Sequence, residues 1–150
     1  MKFIAHRGNL NGPNEKENHP EYINEAIKRG FHVEIDVWKI NDTLFLGHDM
    51  PQYEIDLNFL NSIREYLYAH AKNIPALQYL IQNNINCFSH NVDDAVLTLR
   101  GEIWTYPGKL LTSNSICVMP EMYMKDLVLL KNENILGICS DYVGMIKESQ

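Results

Sequence analysis

The chain has 150 residues, 45% of them hydrophobic, with a formal net charge of -6. That length suits one domain, 1–150, with enough apolar material for a core. Acidic and basic residues are interspersed, so no basic stripe argues for nucleic acid and no basic amphipathic helix for a membrane surface. The apolar run near Met1 is too short for a signal peptide, and no span approaches the ~20 apolar residues of a membrane helix. Cys87, Cys117 and Cys139 are odd in number, lack metal-type spacing and sit in apolar runs. They read as reduced core thiols, which makes the cytoplasm the expected compartment.

In chain order, residues 3–8 predict a first strand. A helix is expected over 20–29, with Pro20 near its start and Gly30 as its C-terminal cap. A second strand follows over 31–38, then a hairpin turn at Asn41-Asp42 with 43–48 as the return. Residues 57–66 and 74–82 predict helices on either side of a strand over 67–72, the later one carrying Pro75 in its first turn. Strands are expected over 85–90, 103–106, 116–119 and 136–140, rich in β-branched and aromatic residues. Met122, Met124 and the leucines of 125–130 read as a core helix.

Strand–helix alternation indicates parallel βα units. The later connections are short: 109–115 cannot hold a helical crossover, and 91–101 allows one helical turn at most. The expected fold is therefore α/β, a reduced (β/α) TIM-like barrel. It has about seven parallel strands plus the hairpin, with helices missing in its second half. Uncovered strands expose apolar surface, so a homodimer burying 102–115 is expected. A scattering series that stays monomeric at every concentration would reject it.

The C-terminal strand ends form the working face of parallel α/β sheets. In the second strand, alternation puts Glu34 and Asp36 on one face and Val33, Ile35 and Val37 on the other. Two carboxylates on a buried face repel each other unless a cation lies between them or one is protonated. His6, His48, His70 and His90 fall at or near strand ends, and paired histidines can divide proton removal from proton donation near neutrality. Tyr68, His70 and Lys72 share a face, and Arg7 and Lys72 offer positive charge to a phosphate.

His6-Arg7-Gly8, Glu17-Asn18, Glu34-Ile35-Asp36-Val37 and Gly47-His48-Asp49 occur in that order over residues 3–50. Together they resemble the motifs of glycerophosphodiester phosphodiesterases, which are phospholipase-C-like barrels. Residues 137–142 are similar to that family's closing strand. The resemblance implies His6 and His48 as the catalytic acid–base pair and Glu34 and Asp36 as metal carboxylates. It implies Arg7 as phosphate ligand, with Glu17, Asn18 and Asp49 ordering the pocket. It also implies metal-dependent hydrolysis of a glycerophosphodiester, small or lipid-derived, to an alcohol and glycerol 3-phosphate.

Where the family carries a third metal carboxylate, this chain has His70, two residues before Lys72. An imidazole ligand favours Mn²⁺ or Zn²⁺, whereas carboxylates alone suit Mg²⁺ or Ca²⁺. The other reading of His70 is a hydrogen bond to the phosphate. Tyr68, His90, Trp104, Tyr106, Glu121 and Asp141 are candidates for the substrate pocket. For Trp104 and Tyr106 the alternative is plain barrel filling, and for His90 with Asp93-Asp94 a second metal site is weighed against a solvated acidic loop. Two further functional readings are a degenerate protein that binds a phosphodiester or phospholipid head group without turnover, and a metal-dependent sugar-phosphate lyase or isomerase.

Overall fold

The computed structural model describes residues 1–149, which build ten strands, four α-helices and two 3₁₀ segments. The first half alternates: β1 (Lys2–His6), α1 (Pro20–Lys28), β2 (His32–Ile40), β3 (Thr43–Leu46), β4 (Tyr53–Ile55), α2 (Leu57–Ile63), β5 (Leu67–Ala71) and α3 (Ile74–Gln82). The second half is strand-rich: β6 (Cys87–Phe88), β7 (Ala95–Leu97), β8 (Ile103–Thr105), β9 (Ser115–Val118), β10 (Gly137–Ser140) and α4 (Val143–Glu148). The helix starts are encoded locally. Asp56 and Asn73 accept hydrogen bonds from the N–H groups of Phe59 and Ala76, and Pro occupies the first turn of α1 and α3.

The expected parallel TIM-like barrel does not form. The sheet has ten strands and is mixed: β2–β3, β3–β4 and β7–β8 pair antiparallel, while β6, β5, β2, β1, β10, β9 and β8 pair in parallel along that path. Among the described residues no ladder joins β6 to β8, so the sheet curls into a half-barrel and stays open. The reason lies in residues 91–101. A connection of that length makes a hairpin, and β7 folds back on β8 around Gly101, which has φ +81°. Strand β6 is two residues long, and a single backbone bond, Leu99 N–H to the Cys87 carbonyl at 2.9 Å, links it to the end of β7.

Side chains fill the gap that hydrogen bonds leave. Tyr68, Trp104, Phe88, His70, His90 and Tyr106 form a column of rings in that order, with successive centroids 5.5, 4.5, 5.1, 4.8 and 4.2 Å apart. Its lower end is tied by Lys2 and Tyr68, which both donate to the Glu102 carboxylate. Outside the sheet, Val33, Ile35 and Val37 face a core that includes Ile23, Ala26, Leu60 and Leu80 from α1, α2 and α3. The last helix, α4, contacts β1 and β10.

One further expectation is corrected. Residues 122–130 are not a helix but parts of two 3₁₀ segments, Pro120–Met122 and Leu127–Asn132. Asp126 interrupts with extended backbone, and its side chain accepts from the Val128 N–H, an alternative to helical bonding. Glu102, Trp104, Thr105 and Ser115, in the stretch assigned to a dimer contact, are buried within the chain itself, while Leu110 is 87% exposed. No helix among the described residues is long and apolar enough to cross a membrane.

Candidate functional site

Strand β2 is central, paired with β1 on one side and β5 on the other, so its inward carboxylates meet side chains from three strands. Register places His6 beside Glu34, and Asp36 beside His70. Glu34 and Asp36 are 2% and 1% exposed, and the ligand atoms of Glu34, Asp36 and His70 lie within 4.8 Å of one another.

Asp36 is heavily engaged. Its Oδ2 accepts from Asn18 Nδ2 at 2.9 Å and lies 3.2 Å from Arg7 Nε and 3.3 Å from His48 Nδ1. Its Oδ1 lies 3.1 Å from His70 Nδ1 and 3.6 Å from Lys72 Nζ. Burial pushes the Asp36 carboxyl upward, but the imidazoles of His48 and His70 with the Arg7 guanidinium outweigh it, holding the group well below the usual range. Glu34 goes the other way. Burial and the neighbouring Asp36 charge raise it, against weaker help from His6, His70 and Arg7. The nearest polar contacts of Glu34 are the Arg7 backbone N–H at 3.3 Å and His6 Nε2 at 3.9 Å.

Asn18 is the clamp on this arrangement. It is 1% exposed, has φ +63°, and also accepts from the Asp36 backbone N–H at 2.9 Å. Asn tolerates the left-handed region better than most residues. Asn18→Ala removes both bonds and leaves a buried N–H and carboxylate oxygen short of a partner. A loss of about 1–3 kcal/mol is expected in urea unfolding; an unchanged midpoint would show that water replaces the amide.

Arg7 has the left-handed backbone of a strained position, φ +52°, ahead of Gly8. Its Nη1 donates to Glu17 Oε2 at 3.1 Å, while Nε is buried and without a hydrogen-bonded partner. His48 Nδ1 is buried as well, and faces Asp36 Oδ2 at 3.3 Å. Its loop needs Gly47, where an added Cβ would lie 2.0 Å from the Met50 carbonyl oxygen. Asp49, its neighbour, points outward with Oδ1 3.7 Å from His48 Nε2 and the side chain 89% exposed.

His6 is oriented from behind. Its Nδ1 pairs with Asp141 Oδ1 at 2.7 Å, leaving Nε2 toward Glu34 at 3.9 Å. Burial would lower its pKa, but the Asp141 bond and the Glu34 charge prevail and raise it above 6.5. Asn9, fully buried, bridges Glu17 Oε1 and Asp141 Oδ1, each at 2.8 Å.

A cavity of about 350 Å³ opens over this cluster, lined by His6, Arg7, Glu34, Asp36, His48 and His70 together with His90, Trp104 and Tyr106. Three residues assigned to the substrate pocket lie elsewhere. Tyr68 sits deeper, bonded to Lys2 and Glu102. Asp141 is behind His6, and Glu121 accepts from Ser140 Oγ and the Asp141 N–H at 2.9 and 2.8 Å, fixing the end of β10. Asn9, Phe88, Val118, Met119 and Met122 were not anticipated. Phe88 was open to detection, since it precedes His90 by two and shares its face.

The donor set of two carboxylates and an imidazole, with ligand atoms within 4.8 Å of one another, is of a kind that fits a divalent cation. No family model, no curated protein and no solved structure matches the chain.

Proposed function

We propose that this cleft hydrolyses a phosphodiester, with a glycerophosphodiester as the substrate, to an alcohol and glycerol 3-phosphate. The observation that carries the reading is the convergence of His6, His48, Arg7, Glu34, Asp36 and His70 on one 350 Å³ cavity. Glu34, Asp36 and His70 would hold a divalent cation, which supplies charge stabilisation to the phosphoryl oxygens when bound.

The remaining work belongs to the chain's own groups. Arg7 offers its guanidinium charge to a phosphate oxygen, and its salt bridges from Nη1 to Glu17 and from Nε to Asp36 keep the group in place. Asp141 holds the His6 Nδ1 proton, so His6 exchanges protons with the substrate through Nε2. His48 stands on the other side of Asp36. One imidazole takes a proton from the attacking water while the other protonates the leaving alkoxide, so that the P–O bond formed to water replaces the one broken to the alcohol.

A second reading is binding of a phosphodiester or phospholipid head group without turnover. It is favoured by the crowding of Asp36, whose oxygens already have Asn18, Arg7, His48, His70 and Lys72 within 3.6 Å. An assay for glycerol 3-phosphate release, run with Mg²⁺, Mn²⁺, Ca²⁺, Zn²⁺ or chelator, separates the two. Metal-stimulated release that chelator abolishes is the expected result. Diester binding with no release under any condition would replace the hydrolase reading with the binding one.

A further inference from the structure

The cleft has two compartments that meet at Arg7 and His48. Both residues line the 350 Å³ cavity, and both line a second one of about 230 Å³ toward the loops after β1 and β3. The smaller compartment is polar, with Asn14, Glu15, Glu17, Asp49 and Gln52 around it. Beyond the charged cluster, the larger one is walled by Phe88, Trp104, Val118, Met119 and Met122. A phosphate held at Arg7 and His48 therefore has a polar chamber on one side and an apolar one on the other. A polyol suits the first and wastes its hydroxyls in the second.

Two rings top the apolar side. His90 and Tyr106 end the aromatic column, both half-buried, with centroids 4.2 Å apart. The Tyr106 hydroxyl is buried and has no hydrogen-bonded partner, which is costly unless a ligand supplies one. Burial and the Glu34 charge push this phenol upward, so it remains a neutral O–H donor. Its missing partner is an acceptor.

We infer that the substrate is an asymmetric phosphodiester: a polyol in the polar chamber, and in the apolar chamber an alcohol bearing a flat heteroaromatic ring whose acceptor atom meets Tyr106. This rests on the hydrolase reading for turnover, but the ring subsite is independent of it. Flat rings stack on aromatic side chains with useful energy whatever their sequence of substituents.

The test uses three glycerol phosphodiesters with closely similar leaving alcohols: ethyl, 2-phenylethyl and 2-(pyridyl)ethyl. Each is measured for kcat/KM and, by calorimetry, for Kd. The phenylethyl ester should exceed the ethyl ester by about tenfold or more in binding, and the pyridyl ester should exceed the phenyl one. Tyr106→Phe, which removes only an unpartnered oxygen, should abolish the pyridyl surplus and keep the phenyl advantage. Tyr106→Ala should reduce both. Equal binding of ethyl and phenylethyl esters, or a ring preference untouched by Tyr106→Ala, would overturn the inference while leaving the hydrolase reading intact. Ring preference without cleavage of any ester would support the subsite and end that reading.

Discussion

His6→Ala should lower kcat/KM for a phosphodiester by about 10²–10⁴-fold with the protein still folded. The size of the loss follows from what the imidazole does in the proposed reaction: it moves a proton through Nε2, with the Asp141 bond and the Glu34 charge raising its pKa against burial. The geometry leaves no substitute in place. Asp141 is behind the ring at 2.7 Å from Nδ1, and Glu34 is 3.9 Å from Nε2 on the far side. The fold should tolerate the change. Asp141 keeps its 2.8 Å bond from Asn9, and its backbone N–H stays on Glu121. Circular dichroism and urea unfolding check the fold, and single-turnover release of glycerol 3-phosphate checks the chemistry. Unimpaired turnover in the folded variant would remove His6 from the mechanism.

Trp104→Ala should cost about 3–5 kcal/mol in urea or thermal unfolding. This is a large share of the roughly 5–15 kcal/mol that keeps a domain folded. Trp104 is 2% exposed and stacks on Tyr68 at 5.5 Å and Phe88 at 4.5 Å. Those contacts join β8 to β5 and β6 where backbone ladders do not. Truncation thus leaves a cavity at the place where the sheet depends on side chains, since the β7–β8 hairpin has no ladder to β6. Trp104→Phe keeps a ring in the column and should cost less. A Trp104→Ala loss under about 1.5 kcal/mol would mean the region collapses to fill the space, and that the column is not what holds the gap.

The cluster of carboxylates and histidines was the legible part of the sequence because its logic is local. Period-two alternation is enough to separate Glu34 and Asp36 from Val33, Ile35 and Val37, and the structure places them on opposite faces. The first three helices announce themselves through Pro20, Pro75 and the Asp56 and Asn73 caps. What failed was what alternation does not encode. Strands β4 and β7 are three residues each, too short to show a period. Helix α4 has six residues and no side-chain cap. Alternation gives a face but not a depth, so Tyr68 and Asp141 were assigned to the pocket although one lies beneath it and the other behind His6. The partner of His6 is 135 residues away in sequence, a distance that only the β1–β10 pairing removes.

A closed barrel locks strand number, tilt and stagger to one another, so altering one strand disturbs all the rest. The open side between β6 and β8 frees this chain from that constraint. Residues added or lost in 91–101 or 106–114 can reshape the aromatic wall without shifting the register of β1, β2 and β5, which carry His6, Glu34, Asp36 and His70. The fold thus separates a part that can vary from a part that cannot: in the proposed reaction, selectivity would lie on the loose edge, and proton transfer and charge on the fixed strands.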